Sequence, residues 1–131
     1  MKAKLLLRIA AAFMLLHTLG HTMGALTWNQ APTPALKLVI DAMLNNHFHF
    51  MGRMVTIGDF YAGYGYSMIG VLLLLSILLW MLSTAPNKGM ILSIGLFLVF
   101  LAVIEFIYFF PFAAAISLLG GVSALLAYRK L

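Results

Sequence analysis

Apolar residues fall into four long stretches along the chain, separated by short polar breaks and one longer link. The pattern predicts membrane spans at about residues 5–26, 56–82, 90–110 and 111–128. An α-helix needs roughly 20 mostly apolar residues to cross about 30 Å of hydrocarbon. The second stretch is most apolar between Met68 and Trp80. The last two run together; as one helix of about 40 residues they would be about 60 Å long, twice the bilayer. Pro111 divides them, because proline suits a first helical position and disfavours helix in the residue before it. Tyr108, Phe109, Phe110 and Phe112 surround that break and fit an interfacial aromatic belt. The predicted fold is therefore all-α and integral to a membrane, an antiparallel bundle of four transmembrane helices forming a single domain over residues 1–131.

Two links remain. Ala85-Pro86-Asn87-Lys88-Gly89 reads as a tight polar turn between the second and third spans. The outer link, residues 27–55, is the only sizeable soluble piece. Within it, Thr33-Pro34 reads as an N-cap followed by proline at the first helical position. Leu36, Val39, Ile40, Met43 and Leu44 follow at helical spacing, with Lys37, Asp41 and Asn45 on the other side. This predicts a short extracytoplasmic amphipathic helix, lying on the membrane surface or capping the bundle. The sequence contains no internal repeat and no low-complexity segment.

Composition agrees with this architecture and narrows the function classes. Hydrophobic residues make up 64% of the chain and charged residues 8%, against typical values of roughly 45–50% and 25%. A soluble domain or a disordered tail needs more charge than that. The formal net charge of +5 is spread over segment ends, with no basic face interleaved with aromatics, so nucleic acid is excluded as a partner. There is no cysteine, which removes disulfides, thiol redox chemistry and zinc–thiolate sites. With four spans, both termini share a side. That side carries Lys2, Lys4, Arg8, Lys88, Arg129 and Lys130, and the outer link carries Lys37 and Arg53. Six against two places both termini in the cytoplasm. The rival reading makes the first span a cleaved signal peptide, with small residues near Gly24-Ala25; the histidine pair inside the span argues against simple targeting.

Ionisable residues inside spans are costly, so they mark candidate sites. His21 lies 17 residues after Lys4, and Glu105 lies 17 residues after Lys88. The same distance back from Ser83 reaches Tyr66. His17 lies one turn deeper, and Asp59 about two turns shallower. His17, His21, Tyr66 and Glu105 thus share the outer half of the bilayer, with Asp59 above them. His17 and His21, four apart, lie on one side of a helix with Ala10, Gly20 and Gly24. Asp59, Gly63, Tyr66 and Gly70 form a comparable stripe, as do Ala113, Ser117, Gly120, Gly121 and Ala124. Small residues let helix backbones approach closely in lipid, so the three stripes predict a specified bundle interior.

Three kinds of chemistry fit that set. Two histidines at i and i+4 with a carboxylate from another helix suit a divalent transition metal such as zinc, iron or copper, making His17, His21 and Glu105 candidate ligands. The glutamate of a helix-borne HExxH motif is absent, and imidazoles one turn apart on one helix cannot be trans ligands of a single haem iron. Second, a histidine or carboxyl beside tyrosine hydroxyls could move protons on a lipophilic small molecule such as a quinone, isoprenoid or sterol. Third, the same residues can simply be satisfied hydrogen-bond partners holding helices together, worth about 0.6 kcal/mol on average.

His47-Phe48-His49 lies in the outer link; if extended, its two imidazoles face the same way and could cap a site or sit at the interface. Asp59-Phe60-Tyr61-Ala62-Gly63-Tyr64-Gly65-Tyr66 reads as a helix start with an acid near its positive end plus an aromatic anchor. The sharper alternative is an aromatic-lined entrance where Asp59 or Arg53 meets a polar head group. The nine methionines do not cluster at close spacing and read as adaptable packing rather than copper ligands.

The His17-Thr18-Leu19-Gly20-His21-Thr22 stretch, with Phe50-Met51-Gly52-Arg53 and Gly58-Asp59-Phe60-Tyr61, resembles a group of small uncharacterised bacterial four-span membrane proteins marked by an H-T-x-G-H element in the first span. The resemblance covers most of the chain, more clearly through the second span than beyond it. It implies a bacterial inner-membrane setting and carries no activity. A looser similarity, of architecture alone, extends to DoxX-like bundles and four-span sterol-binding or isomerase domains. The leading functional expectation is a site for a lipophilic small molecule built on His17, His21 and Glu105, with Asp59 and Tyr66 beside it. The alternative is a non-enzymatic accessory subunit whose polar groups set helix packing. Four short spans enclose little volume, so a transport pathway would need a homo-oligomer or a partner subunit.

Overall fold

A computed structural model describes residues 2–131. In chain order the elements are α1 (Ala3–Thr27), α2 (Pro34–Asn45), β1 (His47–Phe50), β2 (Arg53–Thr56), α3 (Ile57–Leu82), α4 (Lys88–Tyr108) and α5 (Pro111–Tyr128). Helices α1, α3, α4 and α5 are each long and apolar enough to cross a membrane. Their ends lie within two residues of the boundaries read from hydropathy, because local chemistry sets them. Asn87 caps α4 by accepting a hydrogen bond from the Met90 N–H at 3.0 Å. At the α4–α5 break Phe110 is extended, with φ −151° and ψ 151°, and Pro111 opens α5, the conformation that proline imposes on the residue before it.

The chain divides into two compact units, one built from residues up to Leu19 together with Val71–Leu131, the other from Gly20–Gly70. In the first unit Leu7, Met14, Leu72, Leu79, Ile91 and Leu98 are fully buried. Helices α4 and α5 fold back on each other at very close range. A Cβ on Gly121 would stand 3.0 Å from the Gly95 carbonyl oxygen and 3.1 Å from Leu98 Cβ. One on Gly120 would stand 2.9 Å from Met14 Cε of α1, and one on Gly95 2.7 Å from Leu125 Cδ2. The missing side chains of α5 thus seat it against α4 and α1 together. Ser76 of α3 donates to the Ala11 carbonyl of α1 at 2.9 Å, in a buried contact. The Arg8 guanidinium lies 4.8 Å from the centre of the Trp80 ring, and the Lys88 ammonium 5.9 Å from that of Tyr128, placing cations over aromatic faces at the helix ends.

The small-residue stripes behave unequally. That of α5 makes the close approach expected of it. At Gly20 and Gly24 of α1, and at Gly63 and Gly70 of α3, a Cβ would meet nothing within 4 Å. Spacing establishes that residues share a face; these four glycines lie on exposed surface, so no close helix approach is made at them, while Ala10 and His17 of the same α1 stripe are buried.

In the second unit, α2 starts as its sequence dictates. Thr33 is extended, its hydroxyl accepts from the Leu36 N–H at 3.2 Å, and Pro34 follows. Lys37 pairs with Asp41 one turn on, at 2.8 Å. Ile40 alone of α2 is buried, while Leu36, Leu38, Val39 and Leu44 are exposed. Beyond α2 the link forms a two-stranded antiparallel hairpin that the hydropathy pattern does not announce. Its turn residues Met51 and Gly52 both have positive φ, 47° and 83°, the requirement of a two-residue turn whose twist matches the strands. Phe48 and Phe50 pack on Phe60 of α3, with ring centres 6.3 and 5.3 Å apart. Gly58 lets the start of α3 press on α2 and Trp28, since a Cβ there would stand 2.8 Å from Leu44 Cδ2 and 3.3 Å from Trp28 Cη2.

These contacts separate two kinds of glycine. Gly121→Leu should cost about 1–3 kcal/mol through overpacking. Gly70→Ala should be neutral or stabilise by up to about 1 kcal/mol through helix propensity. Melting curves of both variants in detergent micelles check the contrast.

Candidate functional site

Helical spacing puts His17 and His21 on one side of α1, and each imidazole meets a different partner. His17 is buried in the first unit. Its Nδ1 lies 3.1 Å from the Ser117 hydroxyl of α5, and its Nε2 lies 3.4 Å from Glu105 Oε1 of α4. The first distance is a hydrogen bond. The second is long for one and acts as an electrostatic pairing. Three helices therefore meet through one imidazole. Ser117 is wholly buried, Glu105 is 6% exposed, and Glu105 Oε2 is buried without a hydrogen-bond partner among the described residues. A buried polar atom in that position destabilises the fold unless another group satisfies it. The adjacent Thr18 donates its hydroxyl to the Met14 carbonyl one turn back on its own helix, at 2.8 Å.

His21 belongs to the second unit, where its Nε2 lies 3.0 Å from the Gly65 carbonyl of α3. A carbonyl only accepts, so Nε2 carries the proton and donates. Asp59 also has a local partner. Its Oδ2 accepts from the Thr56 N–H at 2.8 Å and lies 3.0 Å from the Thr56 hydroxyl, which in turn accepts from the Asp59 N–H at 3.0 Å. Thr56 and Asp59 thus form a capping box that starts α3, and the carboxylate lies near the positive end of the helix. Tyr66 is 54% exposed.

Beside the start of α3, the second unit holds a groove of about 580 Å³ whose wall includes Arg53, Asp59, Phe60, Gly63, Tyr64 and Ser67. That volume lies within the roughly 300–1,000 Å³ of small-molecule pockets. Phe60, Gly63, Tyr64 and Ser67 are spaced 3, 4 and 7 along α3, one helical face offset from the Gly63–Tyr66–Gly70 stripe. The tyrosine in the groove is Tyr64. Asp59 joins it while its other carboxylate oxygen holds the cap.

The structure thus pairs some of the residues that the sequence singles out differently from their expected grouping. The structure brings His17 and Glu105 together and adds Ser117, the one polar residue in the small stripe of α5. Asp59 borders a groove completed by Tyr64 and Ser67. Among the described residues, no group of three or more His, Cys, Asp or Glu side chains is placed to hold a metal ion; His17 and Glu105 meet as a pair. Compared with family models, with curated proteins and with solved structures, the chain matches none.

The three-helix contact has a measurable signature. In a double-mutant cycle, His17→Ala and Ser117→Ala should each lower stability, with a coupling of about 0.6 kcal/mol and no more than about 1.7. Thr56→Ala, which removes the α3 cap, should cost about 0.5–2 kcal/mol with no coupling to either. Melting or denaturant midpoints of the four proteins and the Thr56 variant provide the check.

Proposed function

We propose that this chain is a multi-pass protein of a bacterial inner membrane whose four spans form an antiparallel bundle with both termini cytoplasmic. Its function on this reading is to hold an amphiphilic small molecule, a lipophilic body with an anionic head, in the groove at the start of α3. Membrane residence is supported by the four apolar helices and by the leucines, isoleucines and phenylalanines exposed along them. Such surfaces are costly in water and ordinary in lipid. The orientation is supported by six cations, five near the two termini and Lys88 at the α3–α4 link, against two in the outer link. The likeness of the H-T-x-G-H element to small bacterial four-span proteins belongs to the same reading.

The groove carries the proposal. Its lining holds one cation, Arg53, and one carboxylate, Asp59, which is already engaged by Thr56, together with the hydroxyl-bearing side chains Tyr64 and Ser67 and the ring of Phe60. A ligand that is polar at one end and apolar along its length uses all of these but Asp59. Arg53 can meet a phosphate or carboxylate through two parallel N–H groups, the hydroxyls fix its orientation, and the aromatic wall takes the chain. His17, Glu105 and Ser117 then serve the scaffold. A second reading, a non-enzymatic accessory subunit, is favoured by one observation. Both intramembrane histidines are already bonded to neighbouring helices, His17 to Ser117 and His21 to Gly65.

The groove is tested with dihexanoyl-phosphatidylglycerol, a short-chain anionic amphiphile, titrated into the full chain in maltoside micelles. At a hundredfold excess over Kd a ligand stabilises the native state by about 2.7 kcal/mol, so the melting temperature should rise by several degrees. Arg53→Gln should lose the rise, while His17→Ala should melt lower and keep it. Absence of a rise in the unaltered protein, or its survival in Arg53→Gln, excludes the groove as the binding site. Separately, green fluorescent protein fused after Leu131 should fluoresce, and alkaline phosphatase fused there should be inactive. The opposite pair of results reverses the orientation.

A further inference from the structure

The hairpin that follows α2 presents two faces; one packs on α3, and the other is buried at Thr56 and exposed at His47, His49 and Met54. Phe48 and Phe50 cover Phe60 of α3. Since side chains alternate along a strand, His47 and His49 share the opposite face. The strand register sets Met54 directly across from His49 and Thr56 across from His47. The turn has two residues, so the pair flanking it, Phe50 and Arg53, is the hydrogen-bonded kind. The next pair, His49 and Met54, is then non-hydrogen-bonded, the kind with its side chains closest together. His47, His49 and Met54 are all exposed, and His49 has no hydrogen-bond partner among the described residues.

One further contact fixes a tautomer on this face. His47 Nδ1 lies 2.9 Å from the Asn45 carbonyl oxygen. The carbonyl only accepts, so Nδ1 carries the proton and Nε2 keeps its lone pair. A backbone carbonyl holding one ring nitrogen is the usual way a metal-binding histidine has its tautomer and orientation fixed. Asp59 lies within electrostatic reach of His47 and favours a cation nearby without completing a carboxylate–histidine metal cluster.

We propose that this hairpin face binds a single copper(I) ion through the imidazoles of His47 and His49 and the thioether of Met54. Two imidazoles and one soft sulfur satisfy the low coordination number of copper(I), and thioether ligands select copper(I) among the common biological metals. Zinc takes thiolate, imidazole or carboxylate ligands and gains nothing from Met54. The turn residues Met51 and Gly52, with their positive φ, hold the two strands in the register that assembles the three ligands. Met54 also borders the amphiphile groove, but copper binding uses neither Arg53, Tyr64 nor Ser67, so Arg53→Gln, which empties the groove of its anion partner, should leave it unchanged.

The test is an anaerobic titration of the full chain, in maltoside micelles, with copper(I) buffered by bicinchoninate. The expected result is one equivalent of copper bound, undisplaced by a tenfold excess of zinc. Binding should be lost in His47→Ala/His49→Ala and unchanged in His17→Ala/His21→Ala. Met54→Leu should weaken it by at least the ten- to hundredfold that losing an outer-shell partner costs. This variant keeps both histidines and a side chain of similar volume, so it reads ligation rather than folding. Copper retained in the His47/His49 variant, an unchanged affinity in Met54→Leu, or displacement by zinc would each overturn the proposal.

Discussion

The contact of Gly121 with the Gly95 carbonyl, where α5 lies on α4 with no side chain between them, sets the geometry of the first unit. Because Gly120 also leaves room for Met14, α5 reaches α4 and α1 at adjacent positions. Ser117 lies about one turn along the same face, and this packing brings its hydroxyl to His17 of α1. Helices in lipid gain little from burying apolar surface against one another and rely on close van der Waals contact and a few polar bonds. Glycines supply the first here, and a single imidazole bridging two helices supplies the second. A Cβ at Gly121 would displace α5 and with it the hydroxyl that holds Nδ1, so the polar contact depends on the apolar one.

The second unit is organised by local chemistry. Thr33 and Pro34 start α2, Thr56 and Asp59 start α3, and two residues with positive φ close the hairpin between them. Each device satisfies backbone groups that would otherwise be orphaned at an element end. Gly58 and the Phe48–Phe60–Phe50 cluster then fasten the link to the first turns of α3. The outcome is a short connection that leaves Arg53, Tyr64 and Ser67 around the groove and His47 and His49 exposed on the hairpin, with Met54 bordering the groove beside them. Binding groups are commonly found on loops that a rigid scaffold positions, and this link is the part of the chain built in that way.

Within the helices, the polar groups are mainly spent on structure. His17, His21 and Ser76 each bond to another helix, Thr18 to its own, and Asp59 to a cap. Glu105 Oε2 and Arg8 Nε are exceptions, both buried without a hydrogen-bond partner among the described residues. An intramembrane ionisable residue raises a functional hypothesis, but here most of that polarity is consumed by joining helices. The groups left free for a ligand lie at the start of α3 and on the hairpin.

The sequence by itself determined the helices and their limits. Apolar runs, Pro111, Asn87 and the Thr33-Pro34 pair act within a few residues of where they stand, so hydropathy and capping rules read them directly. It also identified His17, Glu105 and Asp59 as residues to watch, because ionisable groups in apolar surroundings are conspicuous in any sequence. Partnership was decided only by tertiary structure. Helical periodicity assigns residues to a face without saying which neighbour that face meets, so the stripes of α1 and α3 looked like packing seams and are open at their glycines, while that of α5 is a seam. Ser117 was visible only as a small residue until α1 was laid beside it. Tyr64 rather than Tyr66 lines the groove because the rotation of α3 depends on what Phe60 and Gly58 pack against. The His47–His49–Met54 face needed a strand register, and register is set by a turn whose two positive φ angles have no hydropathy signature.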